Sequence, residues 1–134
     1  MSEYLVDTSV WVEFLRGGKS AIKRRLEKLL DENRAAVTGI ILAELLTGIA
    51  NEKEQRFLEE CFLGLPFLEA TREIFSMAGE MGATLSKKGI TMPISDLLIA
   101  SLAKAHSLTV LTLDSHFQTL ARPLGVQMEL LKGF

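Results

Sequence analysis

Apolar residues recur along the chain at two different spacings, and the two alternate. Glu3 to Val6 predicts a buried strand, Ala35 to Val37, Leu108 to Leu113 and Val126 to Leu130 predict further strands, and Pro66 to Leu68 predicts a short edge strand. Between them the spacing turns helical. A short helix is expected through Trp11 and Phe14, stopped by Gly17-Gly18. Ser20 to Asn33 carries Ile22, Leu26, Leu29 and Leu30 on one face, and Glu52 to Phe62 carries Phe57, Leu58, Cys61 and Phe62. Thr71 to Lys88 carries Ile74, Ala78, Met81 and Leu85, and Ser115 to Ala121 is a shorter helix. Ile40 to Ala50 and Ile94 to His106 are apolar almost all round, which predicts two buried helices. Strands alternating with helices imply an α/β fold with a small, mainly parallel sheet covered on both faces. No repeat, low-complexity segment or Pro/Gly/Ser-rich linker interrupts the pattern, so residues 1–134 are expected to form a single domain.

Composition narrows the classes. Hydrophobic residues make up 48% of the 134 and mean hydropathy is +0.23, which excludes a disordered chain and hints that a partner covers some apolar surface. A homodimer through faces carrying Phe57, Phe62 and Phe67 is the expected form. The longest uncharged runs, Ala35 to Ala43 and Ala105 to Leu113, are far shorter than the ~20 apolar residues of a membrane span. Met1-Ser-Glu-Tyr has neither the positive region nor the apolar core of a secretory signal. The lone Cys61 excludes a disulfide within the chain and points to a cytoplasmic location, where it serves as a small buried hydrophobe. A net charge of −2 argues against sequence-independent DNA coating. Local basic charge exists: Lys19, Lys23, Arg24, Arg25 and Lys28 crowd one helix face, with Arg16 just before it. That face is either solvated or a contact for RNA phosphates.

Most acidic residues lie in charged surroundings, but Asp7, Glu44, Asp96 and Asp114 each stand alone beside or inside an apolar run. Taken singly, Asp7 and Asp114 suit helix N-caps and Asp96 suits a first helical turn, where the dipole favours an acid. Glu44 lies within a helix among Ile40, Ile41, Leu42, Leu45 and Leu46, so it needs a cation, a basic partner or exposure in a cleft. Taken together they say more. In a parallel sheet the strand C-termini converge on one crevice, and Asp7 and Asp114 both follow strands. One acidic pocket neutralised by a hard divalent cation is the economical solution.

In chain order, Val6-Asp7-Thr8-Ser9-Val10-Trp11, Ala43-Glu44-Leu45-Leu46-Thr47-Gly48, Ser95-Asp96-Leu97-Leu98-Ile99-Ala100 and Leu111-Thr112-Leu113-Asp114-Ser115-His116-Phe117 resemble the four acidic motifs of PIN-domain ribonucleases. The VapC toxins of toxin–antitoxin modules are the nearest type. The resemblance implies a three-layer α/β/α sandwich and an endoribonuclease dependent on Mg²⁺ or Mn²⁺. It further implies a homodimer and an antitoxin that blocks the cleft. By position, Asp7, Glu44, Asp96 and Asp114 become the catalytic and metal-site acids. Thr8 and Thr112 become hydroxyls that bond the acids or bound water. Substrate docking also needs positive charge near the acids, for which Arg16, Lys19, Lys23 and Arg24 are the RNA-binding candidates. Many members carry a further acid two places after the fourth; here that position is His116, which leaves open whether one metal or two bind. A receiver-like Mg²⁺-binding signalling module would also cluster acids at strand ends, but it would not place one within a helix as Glu44 is placed. A catalytically silent PIN-fold interaction protein would keep the fold without the activity.

Overall fold

Short apolar runs can be strands only where both faces are covered, and here they are. In the computed structural model, which describes residues 2–17 and 20–132, five strands pair in one all-parallel sheet. In chain order the elements are β1 (Tyr4–Val6), α1 (Thr8–Leu15), α2 (Ala21–Asp31), β2 (Ala35–Thr38), α3 (Gly39–Thr47), α4 (Glu52–Leu63), β3 (Phe67–Leu68), α5 (Arg72–Ser86), α6 (Ile94–Ala105), β4 (Thr109–Thr112), α7 (His116–Leu124) and β5 (Met128–Leu130). The sheet order is β3-β2-β1-β4-β5, with β3 and β5 at the edges. Leu5 and Val6 of β1, Ala35 to Thr38 of β2 and Val110 to Thr112 of β4 are buried, which explains their unbroken apolar pattern.

From β1 the crossovers run towards β3, and from β3 they return past β1 to β4 and β5. Right-handed connections in opposite directions put helices on opposite faces, giving the α/β/α layers. Side-chain contacts agree with that division. Trp11 of α1 packs on Phe62 of α4 with ring centroids 4.9 Å apart. On the other side, Ser101 of α6 reaches the Met81 sulfur of α5 at 3.4 Å, and Lys104 Nζ donates to Leu124 O of α7 at 2.7 Å. The direction reverses between β1 and β4, and that switch point opens a crevice at the strand C-termini.

Local chemistry sets the helix ends. The side chains of Ser20, Asn51 and Thr71 cap α2, α4 and α5, and Gly125 closes α7 in the left-handed conformation at φ 66°.

Two expectations are corrected. The predicted buried helix Ile40 to Ala50 stops at Thr47 and buries only Ile41 and Leu45, one i, i+4 stripe, leaving Ala43 and Glu44 exposed. Apolar composition alone mimicked burial there because this helix packs on one side only. Of the three phenylalanines offered for a dimer face, Phe62 belongs to the core at 3% exposure, whereas Phe57 and Phe67 are 53% and 40% exposed. The second all-apolar helix, α6, is buried from Leu97 to Ala103 as expected.

The core and the exposed phenylalanine respond differently to truncation. Leu111→Ala, at a fully buried position, should lower the unfolding free energy in urea by about 2–5 kcal/mol. Phe57→Ser should change it by less than about 0.5 kcal/mol.

Candidate active site

All four isolated acids come to the C-terminal end of the sheet. Asp7 directly follows β1, and Asp114 follows β4 by two residues, on the two strands that flank the switch point. Asp96 lies in the first turn of α6, the helix that leads into β4. Glu44 projects from α3, which follows β2.

Asp7 occupies the N-cap position of α1, yet its side chain caps nothing. It is buried, and its Oδ2 accepts hydrogen bonds from Ser9 Oγ and Thr112 Oγ1, both at 2.8 Å. Each hydroxyl has one proton and spends it on Asp7. Their lone pairs then accept the backbone N–H groups of Leu113 (3.0 Å, to Ser9) and Asp114 (2.9 Å, to Thr112). Four segments of backbone and side chain thus close into one network, and Asp7 Oδ1 takes no donor among the described residues. Sequence reasoning assigned no role to Ser9. Its place in the Asp7-Thr8-Ser9 triplet, two residues past the acid, is the signal that could have found it.

The remaining acids are held more loosely. Thr8 Oγ1 donates to Glu44 Oε1 at 2.9 Å, so α1 orients a carboxylate on α3. Glu44 is exposed, on a groove lined also by Val12, Leu15, Arg16, Leu45 and Ile49. Of the three ways its charge could be tolerated, exposure in a cleft is the one observed. Asp114 Oδ1 accepts the backbone N–H of His116 at 2.9 Å, an N-terminal bond to α7, and lies 3.1 Å from His116 Nδ1. Asp96 is half-buried, and its pKa is pushed up to about 6. Burial is the largest cause, followed by the charges of Asp7, Asp114 and Glu44, with His116 opposing. The four carboxylates therefore share one field.

Basic groups do not neutralise that field. Arg16 borders the groove of Glu44 but pairs with Glu13 at 3.4 Å. Arg25 is bound to Glu129 and the Tyr4 hydroxyl, and so belongs to the flank of the sheet. Lys23 and Arg24 lie on α2 and form no ion pair with the four acids among the described residues. Lys19 lies outside the described residues.

The donor set suits a hard divalent cation. It offers carboxylate oxygens, one of them buried with a free Oδ1, and no lysine or arginine paired with them among the described residues. No three Asp, Glu, His or Cys side chains among the described residues converge on one point. Mg²⁺ keeps several waters and needs only one or two carboxylates directly.

Known proteins resemble this chain over most of its length. Residues 4–123 match the family model for the PIN domain. A VapC ribonuclease of Mycobacterium bovis is 33% identical over 127 residues, covering 92% of this chain and 95% of that protein. The crystal structure of VapBC2 from Rickettsia felis, bound to a DNA fragment from their promoter, superposes with a TM-score of 0.81 at 26% identity, over 96% of this chain and 98% of that one. VapBC-5 of Mycobacterium tuberculosis, from the VapBC family of toxin-antitoxin systems, shares the fold at a TM-score of 0.65 and 22% identity, over 98% of this chain and 99% of that one.

The raised Asp96 pKa has a sign that can be tested. Its folded value, about 6, exceeds the ordinary 3.8, so between those values the unfolded chain has lost a proton the folded chain keeps. Stability thus falls as pH rises from about 4 to 6 and stays lowered above. In chelator, Asp96→Asn should be more stable than the parent at pH 7.5, by about 1 kcal/mol after solvent screening, and no more stable at pH 3.5. Thermal melts at both values measure this.

Proposed function

The chain belongs to the PIN-domain family, and on that premise we propose that it is a divalent-cation-dependent endoribonuclease, the toxin of a toxin–antitoxin pair, acting through one nuclease domain over residues 1–134. The observation that carries the reading is that Asp7, Glu44, Asp96 and Asp114 all lie at the C-terminal end of the sheet, where the other three act on Asp96 as one field, with no ion pair to a lysine or arginine among the described residues. Membership of the family, together with relatives named as ribonucleases, turns that pocket towards RNA phosphodiester hydrolysis. The same membership disfavours a receiver-like module.

Asp7, Asp96 and Asp114 would hold Mg²⁺ or Mn²⁺, directly or through water. When bound, the cation activates water and stabilises charge on the phosphate and the leaving oxygen. Ser9 and Thr112 lock Asp7 in a single rotamer, so its free Oδ1 is presented without reorganisation. Thr8 sets Glu44, which either completes the metal environment or orients the attacking water as a base. Arg16, on the Glu44 groove, is a candidate for a flanking phosphate, and Lys23 and Arg24 on α2 are further candidates.

Partners follow from surface as well as family. An apolar groove of about 490 Å³ runs between Leu42, Phe62, Leu63, Leu65 and Phe67, and Leu63 is 86% exposed. Apolar surface of this kind supports a protein partner. A second copy of the chain and a cognate antitoxin are the two partners proposed. Among the described residues no helix is long and apolar enough to cross a membrane. The lone Cys61 supports a cytoplasmic site of action.

Incubation with total RNA, with Mg²⁺ or with chelator, followed by mapping of the ends, tests the activity. Cleavage should require the cation, and Asp7→Asn should reduce it at least about 100-fold; a parent-like rate would sink the assignment. Thr112→Val, which removes one hydroxyl from Asp7, should weaken cation binding about 10–100-fold by calorimetry.

A further inference from the structure

Beside the acids, α1 and α3 leave a narrow groove between them. Val12 and Leu15 of α1, with Leu45 and Ile49 after it on the α3 side, form its apolar walls, and Glu44 and Arg16 are its charged members. Thr8, Val12 and Leu15 recur at i, i+4 and i+7, so the hydroxyl that holds Glu44 shares a helix face with one wall. That bond ties one end of the groove to the acid cluster. Arg16, the C-cap residue of α1, stands about 12 Å further along the helix axis. Its exposed pair with Glu13, at 3.4 Å, is of a kind worth little, so the guanidinium is able to exchange it for a phosphate. Val12 is 41% exposed and Gly48 adds no side chain, which keeps the apolar surface open to water. The groove holds about 200 Å³. Pockets for drug-sized ligands hold ~300–1,000 Å³, so this one suits a single flat ring system. The larger groove between Leu42 and Phe67, at about 490 Å³, is the better match for a protein segment.

We propose that this groove is the subsite for one nucleobase of the RNA next to the scissile phosphate, and that it sets the base preference there. An apolar slot with a cation beyond it matches the two halves of a nucleotide: the walls take the base and Arg16 takes a phosphate. Phosphate contacts position the strand, whereas base contacts specify it. The inference rests on the endoribonuclease reading of the acid cluster and adds the place where a base of the substrate is read.

Filling the groove tests the idea. Gly48 has φ −87°, and a Cβ there meets only Leu45 O at 3.7 Å, an ordinary contact, so Gly48→Leu projects a side chain without moving the backbone. Ends mapped from RNA cut by the parent should show a base preference on one side of the cut. Gly48→Leu should lose that preference and raise KM about tenfold, with kcat within about threefold. Val12→Asp, on the other wall, should also lose it. Arg16→Gln should keep the preference, weaken binding evenly across sequences and flatten its salt dependence. In Asp7→Asn protein, where cutting is suppressed, adding Gly48→Leu should weaken binding of a labelled RNA spanning the cut about tenfold by fluorescence anisotropy. A parent-like end map and KM in both wall variants overturns the base subsite and leaves the nuclease reading standing. A parent that cuts no RNA with Mg²⁺ overturns both.

Discussion

The buried carboxylate of Asp7 is the constraint on which the rest of the site depends. It sits between the two strands where the sheet changes direction, and it is covered to 6% exposure with no lysine or arginine paired to it among the described residues. Burial of an unpaired charge is tolerated only with strong local hydrogen bonding. Ser9 from the start of α1 and Thr112 from the end of β4 supply it, and their own acceptor sites are taken by the backbone leading to Asp114. The positions of two acids are thereby tied to one another. A change at either hydroxyl would disturb both.

The other acids are arranged around that fixed point with decreasing restraint. Asp96 is half-buried and feels three neighbouring carboxylates, which holds its proton up to about pH 6. Glu44 is exposed and steered by one hydroxyl, and Asp114 is turned partly towards its own helix. The pocket carries an electrostatic cost that a divalent cation would relieve. Unequal restraint suits its proposed work. A rigid buried oxygen can define where a cation sits, while exposed carboxylates remain free to meet water and substrate.

The fold was legible because each step in it is driven by local pattern. Short apolar runs became parallel strands since both faces are covered, and Ser20, Asn51 and Thr71 capped the helices that follow them. Pattern failed at α3. Ile40, Leu42 and Leu46 look buried in the sequence, but only Ile41 and Leu45 are, since nothing packs on the outer face of that helix in the single chain. The predicted burial of that helix also placed Glu44 among apolar neighbours, whereas it is exposed in a groove. The buried acid is Asp7, which sequence alone made resemble an ordinary cap.

By itself, the order of apolar runs and lone acids determined the α/β class, the strand positions and the four isolated acids that the fold brings to one end of the sheet, because periodicity and isolated charge are local properties. Only the tertiary structure decided how those residues divide the labour. Which carboxylate is buried, which hydroxyl holds it and which basic groups stay away all depend on β1 and β4 lying side by side, more than a hundred residues apart in the chain. Burial and pairing are properties of neighbours in space, and spacing along a sequence carries no measure of them.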